Sequence, residues 1–131
     1  MFVDASAWTA VLLAEADYKL FLGKLAGAPL VLTSAIAGWE TVRAVSRATG
    51  HSLDDAASML ETLQQPINTR VVAIGDVEQR LALDAHARFG KGVHPARLNM
   101  GDCFAYACAR TNGVPLLYKG ADFALTDIES A

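Results

Sequence analysis

The sequence predicts an α/β fold in which a parallel sheet is covered by helices on both faces. Short apolar runs recur along the chain and alternate with longer segments that have helical periodicity. The runs are apolar throughout, which is typical of strands that are buried on both faces of a parallel sheet. No internal repeat, low-complexity tract or linker interrupts this pattern, and we therefore expect residues 1–131 to form a single domain.

The predicted strands are apolar runs that end at polar or turn-forming residues. Asp4 ends the first run abruptly, and residues 127–129 would add a fifth, very short strand. The four main runs, in chain order, are Met1–Val3, Leu30–Leu32, Arg70–Ile74 and Pro115–Tyr118.

The predicted helices begin at capping residues and end at glycine or proline. Ser6 and Ser52 are expected N-caps, and Gly50 and Pro66 end the second and third helical segments. The first segment is expected to break near Ala16–Asp17. The helical segments, in chain order, are residues 7–25, 33–48, 52–64, 76–89 and 101–111, with a short turn at 121–125.

Composition excludes several classes of protein. The two cysteines, Cys103 and Cys108, lie on different faces of one helical segment, so we expect small buried side chains and no disulfide. No apolar stretch is as long as a membrane span, and no signal peptide precedes Asp4, which predicts a cytoplasmic protein. The net charge of −3 argues mildly against a general nucleic-acid binder.

Four acidic residues are expected to meet at one edge of the sheet. Function collects at the carboxyl ends of parallel strands, and Asp4 and Asp122 follow the first and fourth strands. Asp102 begins a helix after a loop that returns to that edge. Glu40 lies further into its helix, but helical side chains lean toward the helix N-terminus.

Clustered carboxylates repel one another unless a cation offsets their charge. A hard divalent ion does so, and it can activate a bound water to attack a phosphodiester. Each acid also has a simpler interpretation: Asp4, Asp102 and Asp122 as helix caps, and Glu40 as a surface partner of a nearby arginine. Their joint placement favours the metal site.

Several ordered segments resemble the PIN-domain ribonucleases, and more narrowly the VapC toxins of bacterial toxin–antitoxin pairs. The resemblance extends from residue 2 to residue 128, and the segment from Leu98 to Ala107 is its most specific part. The segments that carry it are Phe2–Ser6, Thr33–Ser34 with Glu40, Leu98–Ala107, Lys119–Phe123 and Thr126–Ile128.

This resemblance implies a three-layer α/β/α sandwich with a central parallel sheet of four or five short strands. It also implies an endoribonuclease that uses Mg²⁺ or Mn²⁺, with Asp4, Glu40, Asp102 and Asp122 as its acidic quartet and all but Glu40 as metal ligands. Ala121 departs from the polar residue that often precedes the last acid. The implied supporting residues are Ser6, Thr33, Asn99 and Asp127, of which Asp127 is expected to be structural.

Local charge is consistent with an RNA substrate. Five basic residues and one acid lie between Arg88 and Lys119, and RNA phosphates could follow this stretch toward the metal. Arg97 and Lys119 are the strongest candidates for RNA contacts, because they are nearest to the proposed acids in sequence.

The resemblance further implies a homodimer and a cognate antitoxin. Apolar side chains such as Trp8 and Trp39 would contact these partners, or they could be part of the ordinary core. Two alternatives stay open. One is a non-catalytic PIN-like binding module. The other is a receiver-type phosphoacceptor domain built on Asp4, Asp76 and Lys119, although a receiver needs paired acids after its first strand.

Overall fold

The computed structural model describes all residues from 1 to 131. The chain alternates strands with pairs of helices and ends in a 3₁₀ turn. Its elements are β1 (Phe2–Val3), α1 (Ala5–Leu12), α2 (Tyr18–Gly27), β2 (Val31–Ser34), α3 (Ala35–Thr49), α4 (Leu53–Gln64), β3 (Thr69–Val72), α5 (Asp76–Phe89), α6 (Met100–Thr111), β4 (Leu116–Leu117) and the 3₁₀ turn Phe123–Leu125.

The four strands form one parallel sheet in the order β3-β2-β1-β4. Phe2 of β1 lies opposite Leu32 of β2 on one side and Leu116 of β4 on the other. The first strand therefore occupies a central position, and the residue that follows it emerges near the middle of the carboxyl edge.

Alternate strand residues enter two separate cores, one on each face of the sheet. Phe2, Leu32 and Leu116 pack with α5 and α6. Their neighbours Val3, Val31 and Leu117 pack with α1, α2 and α4, around Trp8, Phe21, Leu25 and Leu60. This arrangement is the predicted three-layer α/β/α sandwich, and it buries the strands on both faces as their continuous apolar sequence requires.

Two local predictions were wrong. Residues 127–129 do not form a fifth strand, because the tail makes only a single bridge, between Ser130 and Leu116. The first helix is capped by Asp4 and not by Ser6, which lies within the first turn of α1. Other expectations are confirmed: α1 and α2 are separate helices, and both cysteines are buried and free. None of the helices combines the length and apolar character needed to cross a membrane.

Candidate functional site

A cleft of about 430 Å³ opens at the carboxyl edge of the sheet, and we refer to it as the acidic cleft. Asp4, Glu40 and Asp102 all line it, and they come from the end of β1, from α3 and from the first turn of α6. A larger hollow of about 710 Å³ lies beside α4, but Asp55 is the only acid in its lining. The acidic cleft is therefore the candidate site.

Asp4 is held by the helix that it caps. Its Oδ2 accepts hydrogen bonds from the backbone N–H of Ser6 at 2.9 Å and from the Ser6 hydroxyl at 2.5 Å. The residue is only 4% exposed, and this burial raises the pKa of Asp4 although the bonds from Ser6 act to lower it. The predicted supporting residue Ser6 thus binds Asp4 directly and fixes its carboxylate.

Glu40 reaches back from α3 to the first turn of α6, as the tilt of helical side chains predicts. Its carboxylate lies against Gly101, so closely that a β-carbon on Gly101 would fall 2.2 Å from each carboxylate oxygen. Burial, and then the charge of Asp4, raise the pKa of Glu40. The sequence analysis did not assign a role to Gly101, whose importance comes from this contact between distant segments.

Asp102 belongs to a reciprocal cap at the start of α6. Asn99 Oδ1 accepts a bond from the Asp102 backbone N–H at 3.1 Å, and Asp102 Oδ2 accepts one from the Asn99 N–H at 2.7 Å. Burial raises the pKa of Asp102 to about 7, assisted by the negative charges of Asp4, Glu40 and Asp122 and opposed by the Asn99 bond. Asn99 and Asp102 thus hold each other at the start of α6.

Asp122 lies at the rim and does not line the acidic cleft. It is exposed, precedes the 3₁₀ turn and makes no capping hydrogen bond. Its charge nevertheless contributes to the raised pKa of Asp102, so the two carboxylates are close enough to interact. The structure therefore brings three of the predicted acids into one cleft and the fourth to its border.

Thr33 lies beneath the cleft in the core. Its hydroxyl donates to the Val3 carbonyl oxygen at 3.3 Å and accepts from the Trp8 indole N–H at 3.2 Å. These bonds join β1, β2 and α1, so the residue supports the frame that holds Asp4 and does not itself line the cleft.

Asp127 is engaged away from the cleft. It accepts hydrogen bonds from the Tyr106 hydroxyl at 2.6 Å and from the Arg88 guanidinium at 2.7 Å. These partners lower the pKa of Asp127. The contacts tie the C-terminal segment to α5 and α6.

The two predicted RNA-binding residues differ in position. Lys119 is the only basic residue that lines the acidic cleft, whereas Arg97 is exposed and lies outside it. Lys119 forms ion pairs with Glu15 and Asp17, which sequence analysis missed. More than 100 residues separate these acids from Lys119, and no local pattern indicates such a contact.

The donor set suits a hard divalent cation that retains part of its water shell. No three Asp, Glu, His or Cys side chains converge closely enough to form a ready-made direct site. Mg²⁺ usually binds only one or two carboxylates directly and keeps several waters, which further acids can orient. Burial is the main cause of the raised pKa of Asp102, and the charges of Asp4, Glu40 and Asp122 add to it; a cation would offset both effects.

Comparisons with known proteins agree with this fold. The PIN domain family model matches residues 1–129. A VapC ribonuclease of Rhizobium meliloti is 36% identical and aligns over 97% of this chain and 98% of its own length. A ribonuclease VapC of Mycolicibacterium smegmatis is also 36% identical, over 98% of this chain and 97% of its own.

The fold is similar to that of a solved VapC toxin. A crystal structure of the Mycobacterium tuberculosis protein, described as a toxin that cleaves the sarcin–ricin loop, superposes with a TM-score of 0.78. The two chains are 24% identical, and the match covers 99% of this chain and 97% of the other. These findings define the chain as a member of the PIN-domain family. Within that family its full-length relatives are VapC ribonucleases.

Proposed function

We propose that the protein is a divalent-metal-dependent endoribonuclease that acts as the toxin of a toxin–antitoxin pair. RNA is the substrate class of the VapC ribonucleases to which it is related. The observation that carries the proposal is the clustering of Asp4, Glu40 and Asp102 in one cleft, where burial raises the pKa of all three and neighbouring negative charge raises it further for Glu40 and Asp102. A bound cation would stabilise the ionised form of such a cluster.

We assign Asp4, Asp102 and Asp122 as metal ligands, directly or through water, and Mg²⁺ or Mn²⁺ as the cofactor. When bound, such an ion lowers the pKa of water and stabilises charge on phosphate oxygens. Ser6 and Asn99 hold Asp4 and Asp102 in place through the hydrogen bonds described above.

Glu40 is suited to accept a proton from the attacking water at one of its carboxylate oxygens. Its pKa is raised from the usual range, so it is a stronger base near neutral pH than an exposed glutamate. Water attack at phosphorus, in line with the departing 3′-oxygen, leaves a 5′-phosphate and a 3′-hydroxyl. No protein nucleophile is needed.

We further infer a cytoplasmic site of action, a cognate antitoxin and a homodimer. Several large apolar side chains of this chain are exposed, and a partner would cover them. Trp39 is 56% exposed and Leu83 and Met100 are each 63% exposed. By contrast, Trp8 and Phe21 are buried in the core and are not available to a partner.

The test is cleavage of a mixed RNA pool by the purified, antitoxin-free protein with Mg²⁺ or Mn²⁺, and with EDTA. We expect cuts that depend on metal and leave 5′-phosphate ends. Asp4→Asn should abolish the cuts, because it removes a charged ligand. The fold should remain, because asparagine is an equally good N-cap residue.

A matched control is Asp76→Asn. Asp76 also follows a strand and begins a helix, but it is exposed and lies outside the acidic cleft. This variant should cleave as the wild type does. If metal-loaded wild-type protein leaves both the pool and total RNA from the host intact, the nuclease assignment is wrong and the binding-module alternative replaces it.

A further inference from the structure

Lys119 is enclosed by two carboxylates at the edge of the acidic cleft. Its ammonium nitrogen forms an ion pair with Asp17 Oδ1 at 2.9 Å and a second, shorter one with Glu15. Glu15 and Lys119 both line the acidic cleft, so this group of three charges lies beside the proposed metal ligands. Two acids against one base give the group a net negative charge.

The backbone holds these three side chains in place. The Lys119 N–H donates to Ser6 Oγ at 3.0 Å, and the Ser6 hydroxyl in turn donates to Asp4. Opposite it, the turn between α1 and α2 is fixed by bonds from the Glu15 N–H to the Ala10 carbonyl oxygen at 3.0 Å and from the Tyr18 N–H to the Glu15 carbonyl oxygen at 2.9 Å. The contact is therefore between two ordered segments.

The Asp17 side chain has no capping role that would explain its position. Asp17 is the N-cap residue of α2, yet its side chain makes no capping hydrogen bond and is directed to Lys119 instead. Lys119 forms no ion pair with Asp4, Glu40 or Asp102, although its backbone is linked to Asp4 through Ser6. The two acids thus hold the ammonium group in ion pairs that exclude the acidic cluster.

We propose that Glu15 and Asp17 are positioning residues that form an electrostatic latch on Lys119, and that an RNA phosphate must displace them to bind the ammonium group. This inference rests on the proposed ribonuclease function. A phosphate group is the natural competitor, because lysine binds phosphate as a point charge and the ion pairs are partly open to solvent. The latch would set the affinity for RNA without taking part in bond cleavage.

The test measures KM and kcat for an RNA oligonucleotide that contains a mapped cleavage site, together with its binding in EDTA by fluorescence anisotropy. Asp17→Asn should lower KM and the dissociation constant about two- to five-fold, the range expected for partly exposed ion pairs, and leave kcat unchanged. Lys119→Met should raise KM. In that background, Asp17→Asn should have no further effect, because the side chain that it releases is absent.

The control for overall charge is Glu61→Gln, which removes one exposed acid that makes no ion pair and lies outside the acidic cleft. Its KM should stay within about 1.5-fold of the wild-type value, since an isolated surface charge contributes little. An equal fall in KM for Glu61→Gln, or an effect of Asp17→Asn that persists without Lys119, would overturn the latch. Wild-type protein that neither binds nor cleaves RNA would instead overturn the proposed function, and this inference with it.

Discussion

Substitution of Gly101 by alanine should separate activity from stability. A β-carbon at this position would lie 2.2 Å from both carboxylate oxygens of Glu40, and 3.0 Å is the shortest contact that such atoms tolerate. The Glu40 carboxylate must therefore move away by about 1 Å, and a displacement of this size in an active site lowers the catalytic rate about a hundredfold. We expect a loss of this order in kcat/KM for RNA cleavage.

The fold should not suffer from the same change. The atoms that clash with the added β-carbon are at the end of the flexible Glu40 side chain. Glu40 can therefore move while the backbone of α6 stays in place. Alanine is also favoured over glycine within a helix by about 0.5–1 kcal/mol. The free energy of unfolding, measured with urea, should therefore stay equal to the wild-type value or exceed it slightly.

Gly38→Ala is the matched control. Gly38 lies within α3, two residues before Glu40, and a β-carbon added there would meet no atoms within 4 Å. This variant should gain similar helix stability and keep full activity. Wild-type cleavage by Gly101→Ala would refute the reasoning, because it would mean that the position of the Glu40 carboxylate does not matter to the reaction.

Three further outcomes follow from the charges. In the metal-free protein the folded-state pKa of Asp102, about 7, exceeds its ordinary value of 3.8, so the protonated carboxyl contributes stability at low pH that is lost as the pH rises to 7. The thermal midpoint should therefore fall between about pH 4 and pH 7 and level off above that range, and Asp102→Asn should flatten the fall. Mg²⁺ or Mn²⁺ should raise the thermal midpoint at pH 7.5, and EDTA should reverse the rise. At an ion concentration a hundredfold above the dissociation constant, the free energy of unfolding should increase by about 2.7 kcal/mol. Asp122 and Asp127 should differ in their effects. Asp122→Asn should reduce RNA cleavage and leave the thermal midpoint unchanged. Asp127→Ala should still cleave RNA, but the loss of the hydrogen bond from Tyr106 should lower the free energy of unfolding by about 1 kcal/mol.

The fold class could be predicted because the strands have a simple physical signature. Val31–Leu32 and Leu116–Leu117 are apolar at consecutive positions, and the structure sends one residue of each pair to each core. The fifth strand could not be judged in the same way. Polar and apolar residues alternate at 127–129, which fits a strand. However, the Asp127 side chain accepts hydrogen bonds from Tyr106 and Arg88, and the segment pairs with the sheet only at Ser130.

The site was predicted where a residue's place along the chain determines its position in space. Asp4 directly follows a central strand, and Asp102 lies in the first turn of a helix, so both were expected at the carboxyl edge and both line the acidic cleft. The cap of α1 was assigned wrongly because Asp4 and Ser6 are both good capping residues. Contacts such as Glu40 with Gly101, or Lys119 with Asp17, join segments that are far apart and have no local sequence pattern.

Asp4 and Asp102 share a feature beyond their place in the cleft: each carboxylate accepts a backbone N–H in the first turn of a helix or just before it. The partial positive charge of a helix N-terminus favours a nearby carboxylate, so α1 and α6 offset part of the repulsion without any ion. Part of the stability of this edge of the sheet therefore does not depend on a bound ion. In the proposed mechanism the ion would serve the cleavage of RNA more than the folding of the chain.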